Sequence, residues 1–201
     1  MNEIMRKIWI ITLLMLVSLA TAQTPVSEML QEISTAPSAE RIENDIRKLV
    51  DFGTRHTLSD TVSNERGIGA ARRWIKSEFD RISSECDNCL EVFYHSAIEP
   101  KNDRRIIRDT KIVNVVAIQR GSLYPDRYVI MSGDIDSRVS DPNNYTSDSP
   151  GANDNASGMA GTIEAARVLS KYDFPVSIVY VGLSGEEQGL FGGKHLAQKA
   201  E

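Results

Sequence analysis

The sequence predicts an α/β domain built on a mixed β-sheet with helices on both faces. Apolar runs of strand length, such as Lys111–Gln119, are bounded by turn residues. A helical pattern at Ser157–Lys171 joins two further strands, Arg127–Ser132 and Val176–Leu183. A crossover of this kind makes the two strands parallel and is nearly always right-handed. With 201 residues, 41% of them hydrophobic, the chain is long enough to bury one core.

The sequence of the N-terminal part of the domain predicts two helices. Ser38 is placed to cap a helix that ends near Val50, and residues 51–60 predict a loop. A second helix is expected to start near Asn64, with apolar residues at helical spacing. Its basic residues predict a solvated face: Arg66, Arg72, Arg73 and Lys76.

Three strand patterns follow. Leu90–His95 is strand-like, residues 97–110 predict a turn or an edge, and Lys111–Gln119 predicts a buried strand. Only a short turn separates that strand from Arg127–Ser132, which favours an antiparallel pair. The sheet is therefore expected to be antiparallel at its start and parallel later.

The C-terminal part predicts a functional edge. Residues 137–153 form a long polar loop, and loops of this length in a compact domain are usually functional or disordered. A final helix is expected from Gly189. As the last strand in the chain, Val176–Leu183 is expected to leave an exposed apolar edge.

Residues 1–22 predict a cleavable secretory signal. Arg6 and Lys7 precede a short apolar run, and Ala20-Thr21-Ala22 has the small residues of a cleavage site. We expect cleavage after Ala22 and a secreted or periplasmic protein without stable membrane association. Residues 23–201 then form the mature domain.

Two cysteines, Cys86 and Cys89, form a C-D-N-C motif. In an oxidising compartment a local disulfide is the expected state. A redox CxxC is a weaker alternative, because the motif precedes a strand and does not open a helix. The net charge of −5 and the lack of long basic runs argue against a nucleic-acid partner.

Acidic side chains follow both parallel strands and stand just before the crossover helix. The carboxyl ends of such strands meet at the edge where ligands of open α/β sheets bind. Carboxylates that converge there need a cation, and a divalent metal is the simplest one. The acids concerned are Asp134, Asp136, Asp154, Glu186 and Glu187.

Three phrases carry a resemblance to a known family: S-G-D-I-D-S-R, P-G-A-N-D-N-A-S-G and S-G-E-E-Q-G-L-F-G-G. They resemble, in order, motifs of the co-catalytic di-zinc aminopeptidases of metallopeptidase family 28, the bacterial leucyl aminopeptidase type. The segments DFGTRHTLS and RGIGAARRWI resemble its N-terminal region. The resemblance implies a zinc-exopeptidase fold, like that of the phosphorylase and hydrolase group, a peptide substrate, and two zinc ions.

The resemblance also implies roles for individual residues. Asp154 would bridge the two zinc ions, and Glu187 would bind one of them. Glu186 would be the general base that activates the attacking water for hydrolysis of an N-terminal peptide bond. Asp136 would orient a metal-binding histidine. Asp134 stands where the family has that histidine, so we expect weaker zinc occupancy there, or a harder ion such as Mg²⁺, Mn²⁺ or Ca²⁺.

The family sheet continues beyond this chain, where it supplies further Asp and His ligands. We therefore expect residues 23–201 to be the N-terminal portion of a catalytic domain, inactive or only partly complete as it stands. Two alternatives stay open. One is a non-catalytic, peptidase-like binding domain, and the other is a mono-zinc enzyme resembling glutaminyl cyclases.

Overall fold

The computed structural model describes residues 24–102 and 104–200, so the predicted signal at residues 1–22 lies outside the described residues. Helix α1 (Thr24–Thr35) belongs to a compact unit that ends at Pro37, and a second unit begins at Ser38. No helix in the described ranges is both long and apolar enough to span a bilayer.

The second unit contains one four-stranded sheet and the helices that cover it. The strands are β1 (Leu90–Glu99), β2 (Thr110–Gln119), β3 (Tyr124–Asp134) and β4 (Val176–Leu183). The helices are α2 (Ala39–Asp51), α3 (Gly67–Glu85), a π-helical turn (Ala152–Ala156), α4 (Ser157–Leu169), α5 (Glu186–Gly189) and α6 (Phe191–Ala200).

Local side-chain hydrogen bonds set the starts of the first two sheet-covering helices. Ser38 caps α2 as predicted, since its Oγ accepts the N–H of Arg41 at 3.3 Å. Helix α3 begins three residues later than predicted. Asp60 and Ser63 accept nearby backbone N–H groups and hold the preceding residues in turns. One basic residue of α3, Arg72, is buried and corrects the prediction of a solvated face.

Strand β1 runs further than its apolar pattern indicated. It pairs antiparallel with β2 from Leu90 opposite Gln119 to Glu99 opposite Thr110, so part of the predicted turn at 97–110 is strand. The chain enters β1 from a disulfide between Cys86 and Cys89, whose Cα atoms are 5.4 Å apart.

The strand order is β1-β2-β4-β3, and the crossover prediction is confirmed because β3 and β4 are parallel neighbours. The expectation that β2 pairs with β3 is wrong, because β4 lies between them and is antiparallel to β2. The turn after β2 passes over the segment that enters β4. Gly121 packs on the backbone of Val176, where a Cβ would lie 2.4 Å from its carbonyl carbon, and the N–H of Tyr124 donates to Pro175 O at 2.7 Å.

The edge strands of the sheet are β1 and β3, which corrects the expectation for β4. Strand β4 pairs on both sides and is buried along almost its whole length, with residues in the apolar clusters on both faces. On β3, Tyr128, Val129 and Ile130 are about half exposed. A free apolar strand edge of this kind favours pairing with further strands.

Helices cover both faces of the sheet, as predicted. Helices α2, α3 and α4 pack on one face over a large core that includes Ile75, Phe79, Ile163 and Tyr180. Helix α6 packs on the opposite face, where its Leu196 lies against a small apolar cluster of β2 and β4. This layering leaves the carboxyl edge of β3 and β4 open for a site.

Candidate functional site

Three chain segments meet at the carboxyl edge of the two parallel strands. Strand β3 ends there, β4 leads through a short turn into α5, and the π-helical turn precedes α4. Together they carry the five acids predicted from the sequence: Asp134, Asp136, Asp154, Glu186 and Glu187.

Asp136 is held in place at this edge by several hydrogen bonds. It is almost completely buried, and its Oδ2 accepts the hydroxyl of Thr57 at 2.8 Å. Its two oxygens also accept the backbone N–H groups of Glu186 and Glu187, each at 3.2 Å. Gly185, with φ of +76°, provides the sharp turn that brings these two groups next to the end of β3. In the structure Asp136 therefore orients backbone and hydroxyl groups, whereas the resemblance assigned it an imidazole.

Asp134 and Glu186 are close enough to other acids for their ionisation to be disfavoured. Burial, followed by the negative charges of Asp136, Glu186, Asp154 and Glu187, raises the pKa of Asp134 to about 6. Burial and the same kind of repulsion raise the pKa of Glu186. The negative charges of the four other acids all act on Asp134, so these side chains lie in the same part of the molecule.

A small cavity lies between Asp134 and Glu186. Its volume is about 40 Å³, and it is also lined by Leu183, Ser184, Leu190 and Gly193. That volume is enough for a water molecule or a single ion but far below the size of ordinary ligand pockets.

Glu187 differs from its neighbours because it has a cationic partner. Its Oε2 accepts Arg138 Nε at 2.6 Å, and its backbone carbonyl accepts Arg105 Nη1 at 2.6 Å. Arg138 also lowers the pKa of Glu186 against the effect of burial and the other acids. One predicted metal ligand is thus already neutralised by a side chain of this chain.

The donor set suits a divalent cation in charge but supplies only carboxylates. No group of three or more His, Cys, Asp and Glu residues is arranged to hold a metal within residues 24–102 and 104–200. His56 lies near the edge, where the charges of Asp136 and Glu187 act on it, but its Nε2 donates to Pro142 O at 3.0 Å. His195 pairs with Glu99 at 3.1 Å. Zinc usually has nitrogen or sulfur ligands besides carboxylate, and the acids of this edge supply none.

Arg55 is a residue whose role the sequence did not reveal. Its guanidinium is buried and donates only to backbone carbonyls. Nε reaches Ile135 O at 2.8 Å, Nη1 reaches Leu49 O and Pro150 O at 2.9 and 2.8 Å, and Nη2 reaches Gly151 O at 3.0 Å.

This clamp ties the end of β3 to the turn that precedes Asp154, and so fixes the spacing of two acidic segments. Burial lowers the pKa of Arg55 to about 10, which leaves it charged at neutral pH. The signal in the sequence was the segment DFGTRHTLS, which was interpreted as a loop. The side chain of Asn155 also links the two segments, since its Oδ1 accepts the backbone N–H of Asp134 at 3.1 Å.

Comparisons with known proteins agree with this architecture. Residues 114–201 match the model of peptidase family M28. A probable zinc metalloprotease of Pyrenophora teres f. teres is 46% identical over 172 residues, which are 85% of this chain and 37% of that protein. A probable zinc metalloprotease of Phaeosphaeria nodorum is 40% identical, over 89% of this chain and 39% of that protein. The chain thus spans about two fifths of the length of these curated relatives.

Solved structures share the fold at low sequence identity. The Legionella pneumophila LapA aminopeptidase has a TM-score of 0.64 at 18% identity, over 88% of this chain and 42% of that one. The Fimbriiglobus ruber glutaminyl cyclase has a TM-score of 0.59 at 20% identity, over 81% of this chain and 55% of that one. Residues 114–201 therefore resemble peptidase family M28, the chain resembles part of the curated zinc metalloproteases, and the solved structures share its fold.

Proposed function

We propose that this protein is an exported, zinc-dependent hydrolase of peptide bonds that acts as an aminopeptidase. The convergence of five acids at the carboxyl edge of β3 and β4 carries the proposal, since Asp134 and Glu186 are ionised there only at a cost that a cation would remove. The match of residues 114–201 to peptidase family M28 supports peptide hydrolysis, and the names of the curated relatives support zinc.

Asp154 and Glu187 are the residues that would hold the metal, with Asp134 as a further carboxylate in place of the family histidine. A bound zinc ion supplies a Lewis acid that polarises a peptide carbonyl and lowers the pKa of a water molecule. Glu186 lies beside Glu187 and is the carboxylate positioned to take a proton from the attacking water. Asp136 holds the N–H groups of both glutamates and so keeps the base and the ligand in register.

The test is zinc-dependent release of p-nitroaniline from leucine p-nitroanilide by the protein from its native source and by variants. Intact mass of the native protein defines the chain that must be expressed. Glu186→Gln should lower kcat at least about 100-fold, as expected for loss of a general base. Glu65→Gln, a matched change on an exposed residue, should leave kcat unchanged. Full activity of the Glu186→Gln variant would contradict the assigned role.

An N-acetylated substrate separates aminopeptidase activity from other peptidase activity. An aminopeptidase requires a free N-terminal amine, so acetyl-leucine p-nitroanilide should not be cleaved. Cleavage of both substrates would retain the peptidase and reject the aminopeptidase. Absence of both zinc binding and hydrolysis would favour a non-catalytic, peptide-binding domain.

A second candidate is a mono-zinc cyclase that acts on N-terminal glutamine. Asp134 favours it, because a position that has lost its nitrogen ligand is more compatible with one zinc ion than with two. The fold shared with the F. ruber glutaminyl cyclase is consistent with this reading. Zinc stoichiometry separates the candidates: two ions per chain support the aminopeptidase, and one ion with conversion of glutaminyl to pyroglutamyl peptides supports the cyclase.

Export rests on the sequence of residues 1–22, with its basic start, apolar run and small-residue cleavage site. The disulfide between Cys86 and Cys89 supports an oxidising compartment. N-terminal sequencing of the mature protein should begin at Gln23. A mature protein that retains Met1 would reject a cleaved signal.

A further inference from the structure

Between α3 and the β1–β2 hairpin lies a second cavity, which the proposed chemistry does not use. Its volume is about 430 Å³, within the range of small-molecule sites and roughly ten times that of the cavity between the acids. The two cavities share no lining residue. The lining of the larger one comprises Thr61, Gly69, Arg72, Arg73, Tyr94, Ser96, Lys111 and Val113.

The charge of this lining is one-sided. Arg72, Arg73 and Lys111 are cationic, and no acid lines the cavity. The guanidinium of Arg73 donates hydrogen bonds to the backbone carbonyls of residues 61–63. Lys111 is exposed and forms no ion pair with a residue in the described ranges. The cavity therefore has a net positive charge with an ammonium group free to bind at its mouth.

Arg72 supplies the independent sign of a missing ligand. It is 5% exposed, and its Nη2 is a buried donor without a hydrogen-bond partner in the described part of the chain. Its Nε donates to Ser184 Oγ at 3.3 Å. The nearby carboxylate of Asp136 acts on Arg72 through its charge, and its oxygens accept hydrogen bonds from three other donors.

Folded proteins rarely leave such a group unpaired, since an unsatisfied buried donor on a charged side chain is costly. Burial lowers the pKa of Arg72 to about 10, so the guanidinium is still protonated at neutral pH. A carboxylate that entered the cavity would meet Arg72 in its wall, and guanidinium groups match the planar carboxylate particularly well.

The remaining walls select among anions. Tyr94 and Val113 provide an aromatic and an aliphatic surface beside the cations, and the ring of Tyr94 is 43% exposed. A chloride or phosphate ion would leave most of the 430 Å³ and these apolar surfaces unused. A compact organic acid would use both.

We propose that this cavity binds a small organic carboxylate, with its carboxylate group on Arg72 and Lys111 and its apolar body against Tyr94 and Val113. The site is separate from the acidic edge. It adjoins that edge through Ser184, which contacts Arg72 and lies two residues before Glu186.

The probe is sodium benzoate, titrated into the purified chain by isothermal titration calorimetry at constant ionic strength. Benzamide, which has the same ring without the charge, is the first control, and inorganic phosphate is the second. We expect saturable binding of benzoate and at least about tenfold weaker binding of benzamide, since a hydrogen-bonded charge is lost. Equal binding of benzamide, or phosphate binding as tight as that of benzoate, would overturn the proposal.

Two variants and a matched control locate the site. Arg72→Met should weaken benzoate at least about tenfold, and Lys111→Ala should weaken it about two- to fivefold because Lys111 is exposed. Lys171→Ala removes an exposed lysine outside the cavity and should have no effect. If Arg72→Met does not fold, Lys111→Ala still decides the question. Benzoate affinity that is the same in Lys111→Ala and Lys171→Ala would place the binding elsewhere.

Discussion

Buried and half-buried carboxylates gather in two regions of this molecule, and the two regions differ in their supply of cationic partners. Where α2, α3 and α4 meet, Arg167 binds Asp45 at 2.7 Å, Glu78 at 2.8 Å and Glu164 at 3.3 Å. Burial alone would raise the pKa of Glu164, but hydrogen bonds from Arg41 and other donors hold it below its ordinary value. Burial still raises the pKa of Asp45, although the hydrogen bond and charge of Arg167 oppose that rise.

At the carboxyl edge of β3 and β4 the acids have few cationic partners. Burial raises the pKa of Asp134, and neighbouring acids raise it further. Neither Asp134 nor Glu186 has an ion pair among the described residues, and Arg138 neutralises only Glu187. The comparison shows that burial of carboxylates alone does not mark a site. A shortage of cationic partners supports the proposed metal site, because an external cation would make the repelling acids compatible.

The largest expected effect comes from removing the cation of the compensated region. Arg167→Leu leaves Asp45 and Glu164 buried without their shared partner, which should lower the free energy of unfolding by about 3–5 kcal/mol. Urea denaturation followed by circular dichroism measures it. Arg47→Leu, which breaks an exposed pair with Glu43, should cost less than about 1 kcal/mol. Similar losses in both variants would contradict the distinction drawn between buried and exposed pairs.

At the acidic edge a change of ligand type should act on zinc and not on folding. Asp134→His replaces a repelled carboxylate with the nitrogen ligand that zinc prefers, and should tighten zinc at least about tenfold. Competition with a chromophoric chelator measures the dissociation constant. Equal zinc affinity in both forms would reject Asp134 as a position in the metal site.

These two regions also show what the sequence alone could predict. The apolar periods predicted the β3–α4–β4 crossover, and the acids that follow the two strands predicted the edge. The strand order was beyond reach, because β4 is placed between β2 and β3 by contacts of Gly121 and Tyr124 with residues 175–176, which are distant in sequence.

The same limit applies to the arginines. Helical periodicity assigned Arg72 to a solvated face, although it lies under the β1–β2 hairpin. Arg55 lies in a loop, as the sequence predicts, but its binding to carbonyls of residues 49, 135, 150 and 151 is visible only in the fold. A basic residue in a sequence carries no record of which backbone carbonyls or carboxylates will surround it, so the compensated and uncompensated regions become distinguishable only in the fold.

Removal of a charge at the edge should stabilise the metal-free protein, the opposite of its effect at Arg167. The pKa of Asp134 is raised to about 6, so its ionised form opposes folding above that pH. Asp134→Asn should therefore raise the free energy of unfolding at pH 7 by about 1 kcal/mol, less than the full shift implies because the carboxyl is partly solvated. As the pH falls from about 6 to below the unfolded pKa of about 3.9, the carboxyl becomes neutral in both states and the gain should shrink toward zero. A gain of the same size at pH 3.5 and pH 7 would point to packing, not to repulsion.

The smallest expected effect concerns the one acid of the edge that has a cationic partner. Arg138 Nε donates to Glu187 Oε2 at 2.6 Å. The same carboxylate would bind the metal. Arg138→Met removes both the competing donor and a like charge, and should tighten zinc about two- to fivefold, the modest value expected for a partly exposed pair.

Arg120→Met is the matched control, since it breaks an exposed pair with Glu91 beside the end of β2 that pairs with the start of β4, away from the acidic edge. Its zinc affinity should equal that of the parent chain when both are measured by chelator competition. If Arg138→Met weakens zinc instead, Arg138 orients Glu187 for the metal and does not compete with it. The edge would then resemble the Arg167 region, as a carboxylate held in place by its own arginine.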